Sequence, residues 1–331
     1  SISTYPTELE IFQYLKGAKA DPLIDLYNHQ NILRNQYGFK GEIEFKKWNG
    51  KMNALISVSE RHGDLKIPFG VFKPEKKGDI AELQRQALRE MENRGFAYAP
   101  QIVRTQDDKK LTSIGNKIYS CFDIELNQNQ SENSICFEEM LKLISHFHNY
   151  SKNSSFSEGL QKVILTIYRE RFSYFSDPQF ESFFFRSADN LEIILKSAKY
   201  FASNSFKEIY DTLPCTLIHG NHHTQNIIIS KKQPYFIDFD TMRTDARILD
   251  LTLFVGLDYE NSYLILLQEN RLFSCIEEYY GNLETIEKEY FHTMVLFSQI
   301  ERLTWELHII KEAILKQDQE TAQQFKNNFY K

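Results

Sequence analysis

Along the 331 residues the spacing of apolar positions changes several times, and each change predicts a change of element. Leu9, Ile11, Phe12, Tyr14 and Leu15, followed by Leu23, Ile24, Tyr27, Ile32 and Leu33, predict helical structure over 5–36. Strand-like runs then take over. "EIEFKKW", "ALISVSE" and "LKIPFGVFK" are separated by the turn pairs Asn49-Gly50 and His62-Gly63, which predicts three antiparallel strands across 42–73. The helical period returns at Asp79, with Ile80, Leu83, Ala87 and Met91 on one face and Gly95 as a stop. "YAPQIVRT" and "KIYSCFDIEL" predict two further strands, with "QDDKK" turning between them.

A polar stretch, "NQNQSENS" at 127–134, reads as a linker. Beyond it the pattern is mainly helical, at "FEEMLKLISHFHNYS" and over 158–173, 178–210, 258–282 and 284–328. One stretch interrupts the helices: "TLIHGNHHTQNIIISKKQPYFIDFD", residues 216–240, in which "IIIS" and "PYFI" predict two short strands joined by "SKKQP". The expected architecture is α+β. Residues 1–125 form a lobe with an antiparallel sheet and one inserted helix, and 126–331 form a mainly helical lobe.

Composition narrows the function more than the fold. Apolar residues make up 42% and charged residues 25%, ordinary values for a globular chain. The net charge of −6 and pI near 5.9 argue against nucleic acid and anionic membrane as partners, and suit a cationic small molecule. Cys121, Cys136, Cys215 and Cys275 are scattered without a CxxC pair, so they read as reduced and mostly buried in a cytoplasmic protein. No apolar run reaches membrane-span length. "SISTYPTELE" has no signal-peptide pattern, and the lack of an initial Met leaves a preceding leader open.

The chemistry concentrates in 216–240. Asn226 ends a polar loop before "IIIS", and Asp238 ends "PYFI", so pairing of the two strands would bring an amide oxygen and a carboxylate together. Hard oxygen donors of this kind suit Mg²⁺. Asp238 alone could equally be a strand-end turn residue. Lys73 could be one solvated member of "KPEKK", although it directly follows apolar strand residues.

"HGNHHTQNIII…YFIDFD…DARILDLTLF" resembles the "HGDxxxxN…IDFD…DLA" signature of the aminoglycoside phosphotransferase and choline kinase-like enzymes, and looks closest to their spore-coat kinase-like branch. The resemblance runs in order along most of the chain, but only 216–254 is specific. It implies a protein-kinase-like two-lobe fold and transfer of a phosphoryl group from ATP, or another nucleoside triphosphate, with Mg²⁺. The acceptor would be a hydroxyl of a small molecule, and a homodimer is compatible with this reading. Carried over by residue, the catalytic loop is 219–226 and the metal motif 238–240. His219 would be the loop's structural histidine, Asn226 and Asp238 the metal ligands, and Asp250 the brace of the loop. Lys73 would contact phosphates, and the backbone of Cys121, Phe122 and Asp123 would pair with the adenine edge. Counting back from Gly95 places Gln86 as the partner of Lys73, with Glu82 and Glu90 one turn to either side.

One departure bears directly on chemistry. The position expected to hold the catalytic Asp is Asn221, whose amide can orient a hydroxyl but cannot take its proton as a carboxylate does. Three readings follow: a phosphotransferase that is slow or uses a substitute base such as His222, a pseudokinase that binds nucleotide or acts as a spore-coat-type scaffold, or an introduced Asp→Asn change. Asp258, Glu260, Glu301 and Glu306 are candidates to meet a cationic acceptor, and Tyr259 and Trp305 to stack on it. Solvated helix faces and core packing are their ordinary alternatives.

Overall fold

The computed structural model describes residues 26–47, 55–75, 79–115, 117–124, 135–152, 154–156, 159–160, 188–230 and 232–315. The helices expected over 5–25, 161–173, 178–187 and 316–328, the Asn49-Gly50 turn and the linker at 127–134 lie outside them. The chain divides into two compact units. One runs to Ile135 and also contains Thr224–Asp240; the other contains Cys136–His223 and the chain from Thr241 onward.

In chain order the first unit carries α1 (Gln30–Tyr37), β1 (Glu42–Lys47), β2 (Ile56–His62), β3 (Leu65–Glu75), α2 (Asp79–Asn93), β4 (Thr112–Ile114) and β5 (Lys117–Phe122). The helical unit follows with α3 (Phe137–Ser151), α4 (Ala188–Phe201), α5 (Asn204–Thr212) and β6 (Cys215–Ile218). Next come β7 (Ile227–Ser230) and β8 (Gln233–Phe236), both of the first unit. The helical unit then resumes with β9 (Arg243–Ala246), α6 (Ile248–Leu257), α7 (Glu260–Gln268), α8 (Leu272–Tyr279) and α9 (Thr285–Leu315).

The first unit is built on an antiparallel sheet of order β1-β2-β3-β5-β4. His62 pairs with Leu65, so Gly63 and Asp64 make the β2–β3 turn, and Gly63 takes φ 61°, which only glycine adopts without steric cost. Strand period places successive residues of β3 on opposite faces. Phe72 enters a cluster with Leu33, Phe45, Ile56 and Tyr119, whereas Val71 joins Leu55, Ile124 and Ile228 beneath Phe122 and Ile237. Full burial of a side chain such as Phe72 contributes about 1.5–3 kcal/mol. The same alternation turns Lys73 to the Val71 face.

The segment "YAPQIVRT" differs from its expected strand. Only Ile102 bridges β5, opposite Phe122, with bonds from Val103 N–H to the Cys121 carbonyl (2.8 Å) and from Asp123 N–H to the Gln101 carbonyl (2.8 Å). The hairpin partner of β5 is instead the short β4, joined to it through Gly115 at φ 59°. "QDDKK" closes a local turn in which the Thr105 N–H bonds to the Lys109 carbonyl (2.9 Å).

In the helical unit, α3 buries Met140, Leu141, Ile144, Phe147 and His148 along one stripe. The sequence of α6, "ILDLTLFVGL", is apolar nearly all round, as suits a helix enclosed by others. Asp250 is its one ionisable residue and is fully buried. The helix expected over 258–282 is broken in two. Asn270 takes φ 55°, and the Arg271 N–H reaches back to the Leu266 carbonyl (2.8 Å), closing α7 with a left-handed cap. The four cysteines are free, with Cys121 and Cys275 buried and Cys136 and Cys215 exposed. Among the described residues no helix is long and apolar enough to cross a membrane.

Candidate active site

Strands β7 and β8 pair from Ile227↔Phe236 to Ser230↔Gln233. The Ile237 N–H extends the ladder to the Asn226 carbonyl (2.9 Å), so Asn226 sits opposite the residue before Asp238. Asn226 is buried at the end of a 3₁₀ turn, Thr224–Asn226. Asp238 has φ 62°, a left-handed conformation that costs a residue other than glycine about 1–3 kcal/mol and is most often retained where function requires it.

Both carboxylates of the Asp238-Phe239-Asp240 motif meet one ammonium. Lys73 Nζ lies 3.0 Å from Asp240 Oδ1 and 3.8 Å from Asp238 Oδ1. Burial by itself would lower the pKa of Lys73. The carboxylates of Asp240, Glu75 and Asp238 outweigh it and raise the pKa, so the buried ammonium stays charged. The Gln84 amide donates to the Asp240 carbonyl (3.0 Å), fixing the turn that carries the second carboxylate.

Gln86 does not meet Lys73; its amide donates to Glu82 (3.1 Å), which also takes Arg85 (3.0 Å) and Arg89 (2.9 Å), while Glu90 pairs with Arg94. The helix-α2 groups are satisfied among themselves, and the ammonium is satisfied by Asp240. The stretch Cys121–Asp123, implied by the resemblance to meet the adenine edge, is hydrogen-bonded to the segment before it. The Cys121 carbonyl and the Asp123 N–H are bonded to Val103 and Gln101, and the Cys121 side chain is buried in the sheet core. Of this stretch, Phe122 lines a cavity.

That cavity, of about 670 Å³, is lined by Leu55, Phe122 and Ile237 together with Lys73, Asp238 and Asp240. Arg85, Arg89, Arg104, Lys109 and Lys110 also line it, so the cavity joins apolar surface to many charged groups, several of them cationic. Asn226 and Asp238 supply an amide oxygen and a carboxylate. The described residues contain no cluster of three or more His, Cys, Asp or Glu able to hold an ion alone. This donor set fits a hard divalent cation that completes its shell from phosphate and water.

The "HGN" segment belongs to the helical unit and is held by Asp250. One oxygen of Asp250 accepts the His219 N–H (2.9 Å) and His148 Nε2 (2.9 Å). The other accepts the Gly220 N–H (2.9 Å) and lies 2.9 Å from His222 Nδ1. His148 Nδ1 meets the Tyr280 hydroxyl at 2.8 Å. With Nε2 donating to the carboxylate, that hydroxyl is the donor. Burial would raise the Asp250 pKa, but the adjoining His222 and His148 hold it well below the carboxylate range. The His148 pKa is lowered by burial against the pull of Asp250.

Gly220 has φ 77°, and a Cβ there would stand 2.4 Å from Arg243 Nη1 and 2.7 Å from the Thr241 carbonyl. No other residue fits. Arg243 is fixed by Asp245 (2.8 Å), and the Thr241 hydroxyl donates to the His219 carbonyl (2.9 Å), so the loop is closely walled. His222 has no solvent exposure and faces Asp250, which argues against it as a substitute base. His223 is partly buried, with its pKa lowered to about 4 by desolvation and by the cationic side of Arg302, against Asp258. Asn221 is partly exposed.

Among the acceptor candidates, Asp258 and Glu260 are exposed. Tyr259 packs on Phe137 (5.8 Å) and Phe254 (5.5 Å), a core role. The side chains of Trp305 and Glu306 lie outside the described residues. Sequence reading missed Asp240 as the lysine's counter-ion and Gln84 as its support. The only available signal was a second carboxylate two residues after Asp238.

Among curated proteins none matches the chain significantly. Solved structures do. A spectinomycin phosphotransferase, APH(9)-Ia, in complex with ADP and spectinomycin, superposes with a TM-score of 0.65 at 16% identity, covering 91% of this chain and 92% of that one. A microcompartment-associated aminopropanol kinase gives 0.61 at 13% identity over 92% and 94%. An amicoumacin kinase, hAmiN, in complex with AMP-PNP, Ca²⁺ and Ami gives 0.59 at 11% over 94% and 95%. At these identities the likeness is one of fold. The Phosphotransferase enzyme family (APH) matches residues 72–270, more than half the chain and the whole span from Lys73 through Asn221, Asn226 and Asp238 to Asp250. The chain belongs to that phosphotransferase family.

Proposed function

We propose that this protein binds a nucleoside triphosphate with a divalent cation such as Mg²⁺ and transfers its terminal phosphoryl group to a hydroxyl of a small molecule, slowly because it lacks a catalytic carboxylate. The observation that carries the reading is the ion-pair cluster of buried Lys73 with half-buried Asp238 and Asp240, one ladder step from Asn226, lining a cavity that Leu55, Phe122 and Ile237 also line. Lys73 is the cation for phosphate oxygens, Asn226 and Asp238 are the metal ligands, and the side chains of Leu55, Phe122 and Ile237 form the apolar seat for a base. A bound cation would neutralise phosphate charge during transfer. Asn221 orients the acceptor hydroxyl by hydrogen bond. His219 and Asp250 act only by holding the loop.

Nucleotide- and cation-bound relatives of the same fold support this. A small acceptor is supported by relatives whose partners are spectinomycin or amicoumacin, and the acidic net charge suits a cationic one. A second reading, a nucleotide-binding pseudokinase with a scaffolding role of the spore-coat type, is favoured by Asn221 together with the burial of His222 against Asp250.

Calorimetry with ATP should show binding that tightens with Mg²⁺. Asp238→Ala should lose the Mg²⁺-dependent part, about 10-fold or more, since charge-assisted contacts are worth about 1.5–3 kcal/mol. A folded protein that binds no nucleoside triphosphate with Mg²⁺ would rule out both readings.

A further inference from the structure

We propose that Asp240 is the positioning residue of Lys73, and that its ion pair couples arrival of the divalent cation to arrival of the nucleotide. The inference rests on the nucleotide reading above and concerns how that site is controlled. A buried ammonium needs a carboxylate partner. The side chains of α2 that could supply one are engaged with each other, Glu82 holding Arg85, Gln86 and Arg89. Glu75, two residues along β3, accepts the Ser120 hydroxyl and faces Arg85 at 3.7 Å. The nearest carboxylate to Lys73 is Asp240, at 3.0 Å, with its backbone tied to α2 through Gln84. Asp238 stands farther off, at 3.8 Å.

One ammonium therefore faces both carboxylates of the motif, with Glu75 a third acting on it from β3, and its shorter contact is to the one that the metal reading does not use. In this state phosphate oxygens would meet two negative side chains and a lysine already paired. Neutralising Asp238 with a divalent cation changes the balance: the repulsion falls and Lys73 can exchange Asp240 for phosphate. Cation and nucleotide should then each tighten the other by the same factor, as linkage requires. Asp240 sets the size of that factor.

The test uses the full chain, ATP and Mg²⁺. Asp240→Asn should tighten metal-free ATP binding by about 10-fold and shrink the ratio of affinities with and without Mg²⁺, within the 5–150-fold range usual for coupled sites. Asp240→Glu should restore the ratio. A second readout needs no nucleotide. Labelling of Lys73 by an amine-reactive probe, read by mass spectrometry, should be slow in the parent protein and faster in Asp240→Asn or on adding Mg²⁺. An unchanged Mg²⁺ ratio, equal weakening of both affinities, or unchanged labelling in a folded Asp240→Asn protein would overturn the proposal. If no form binds ATP the functional reading fails instead, and the labelling result still decides the role of Asp240.

Discussion

Asn221→Asp is expected to raise phosphoryl-transfer turnover by about 10²–10⁴-fold, the usual contribution of a general base. An amide and a carboxylate have nearly the same shape, so the acceptor hydroxyl is oriented in both, but only the carboxylate can accept its proton. The loop itself should not notice the change. Its backbone is held by Asp250 through the His219 and Gly220 N–H groups and by Thr241 through the His219 carbonyl, and none of these contacts uses the side chain at 221. The measurement is ATP turnover with Mg²⁺ across an acceptor panel, alongside thermal unfolding. A folded, nucleotide-binding variant with no gain would show that the missing carboxylate is not what limits this chain.

The largest effect on stability should come from Asp250→Ala. Its carboxylate, fully buried, serves two backbone N–H groups and His148 and lies against His222. Removing one partner of a buried charged network typically costs about 3–5 kcal/mol, because the groups left behind are desolvated and unsatisfied. Chemical denaturation of the variant measures this; a loss under about 1 kcal/mol would mean that the network does not hold the loop. The same network predicts acid sensitivity. The folded pKa of His148 lies below its ordinary value, so its contribution is complete above the unfolded value near 6.5. It is lost as pH falls through the lowered folded pKa. Asp250, also depressed, contributes in the same direction at lower pH. Stability should thus decline below about pH 6.5, and the decline should be smaller in a His148→Gln variant.

Local patterns were readable wherever neighbours in sequence are neighbours in space. The β2–β3 hairpin, the helix from Asp79 and the β7–β8 pair around "SKKQP" each follow from apolar spacing and turn residues a few positions apart. Strand β9, "RTDA", has no apolar alternation. It is a strand because Cys215–Ile218 lies beside it, and that information is not local. "YAPQIVRT" differs in a related way: its β-formers lie beside β5 but meet it through the single bridge of Ile102 with Phe122. The site divides the same way. The Asn226 and Asp238 positions are legible in the motif, and so is the Asp250 spacing. The counter-ion of Lys73 is not, because Asp240 is 167 residues away and the helix residues near it in sequence satisfy one another.

The left-handed backbone at Asp238 places fold and function in opposition at one residue. Glycine would hold that turn with less strain, and asparagine about as well as aspartate. The turn itself therefore does not call for a carboxylate; the buried Lys73 ammonium beside it does. A lineage drifting away from metal binding could ease the backbone there only by giving up one of the charges that balance Lys73. This trade-off is absent at Gly220, where Arg243 and Thr241 leave no room for a side chain. Among family members that no longer bind a cation, position 238 would answer to Lys73 alone, while position 220 is where the shape would still be enforced.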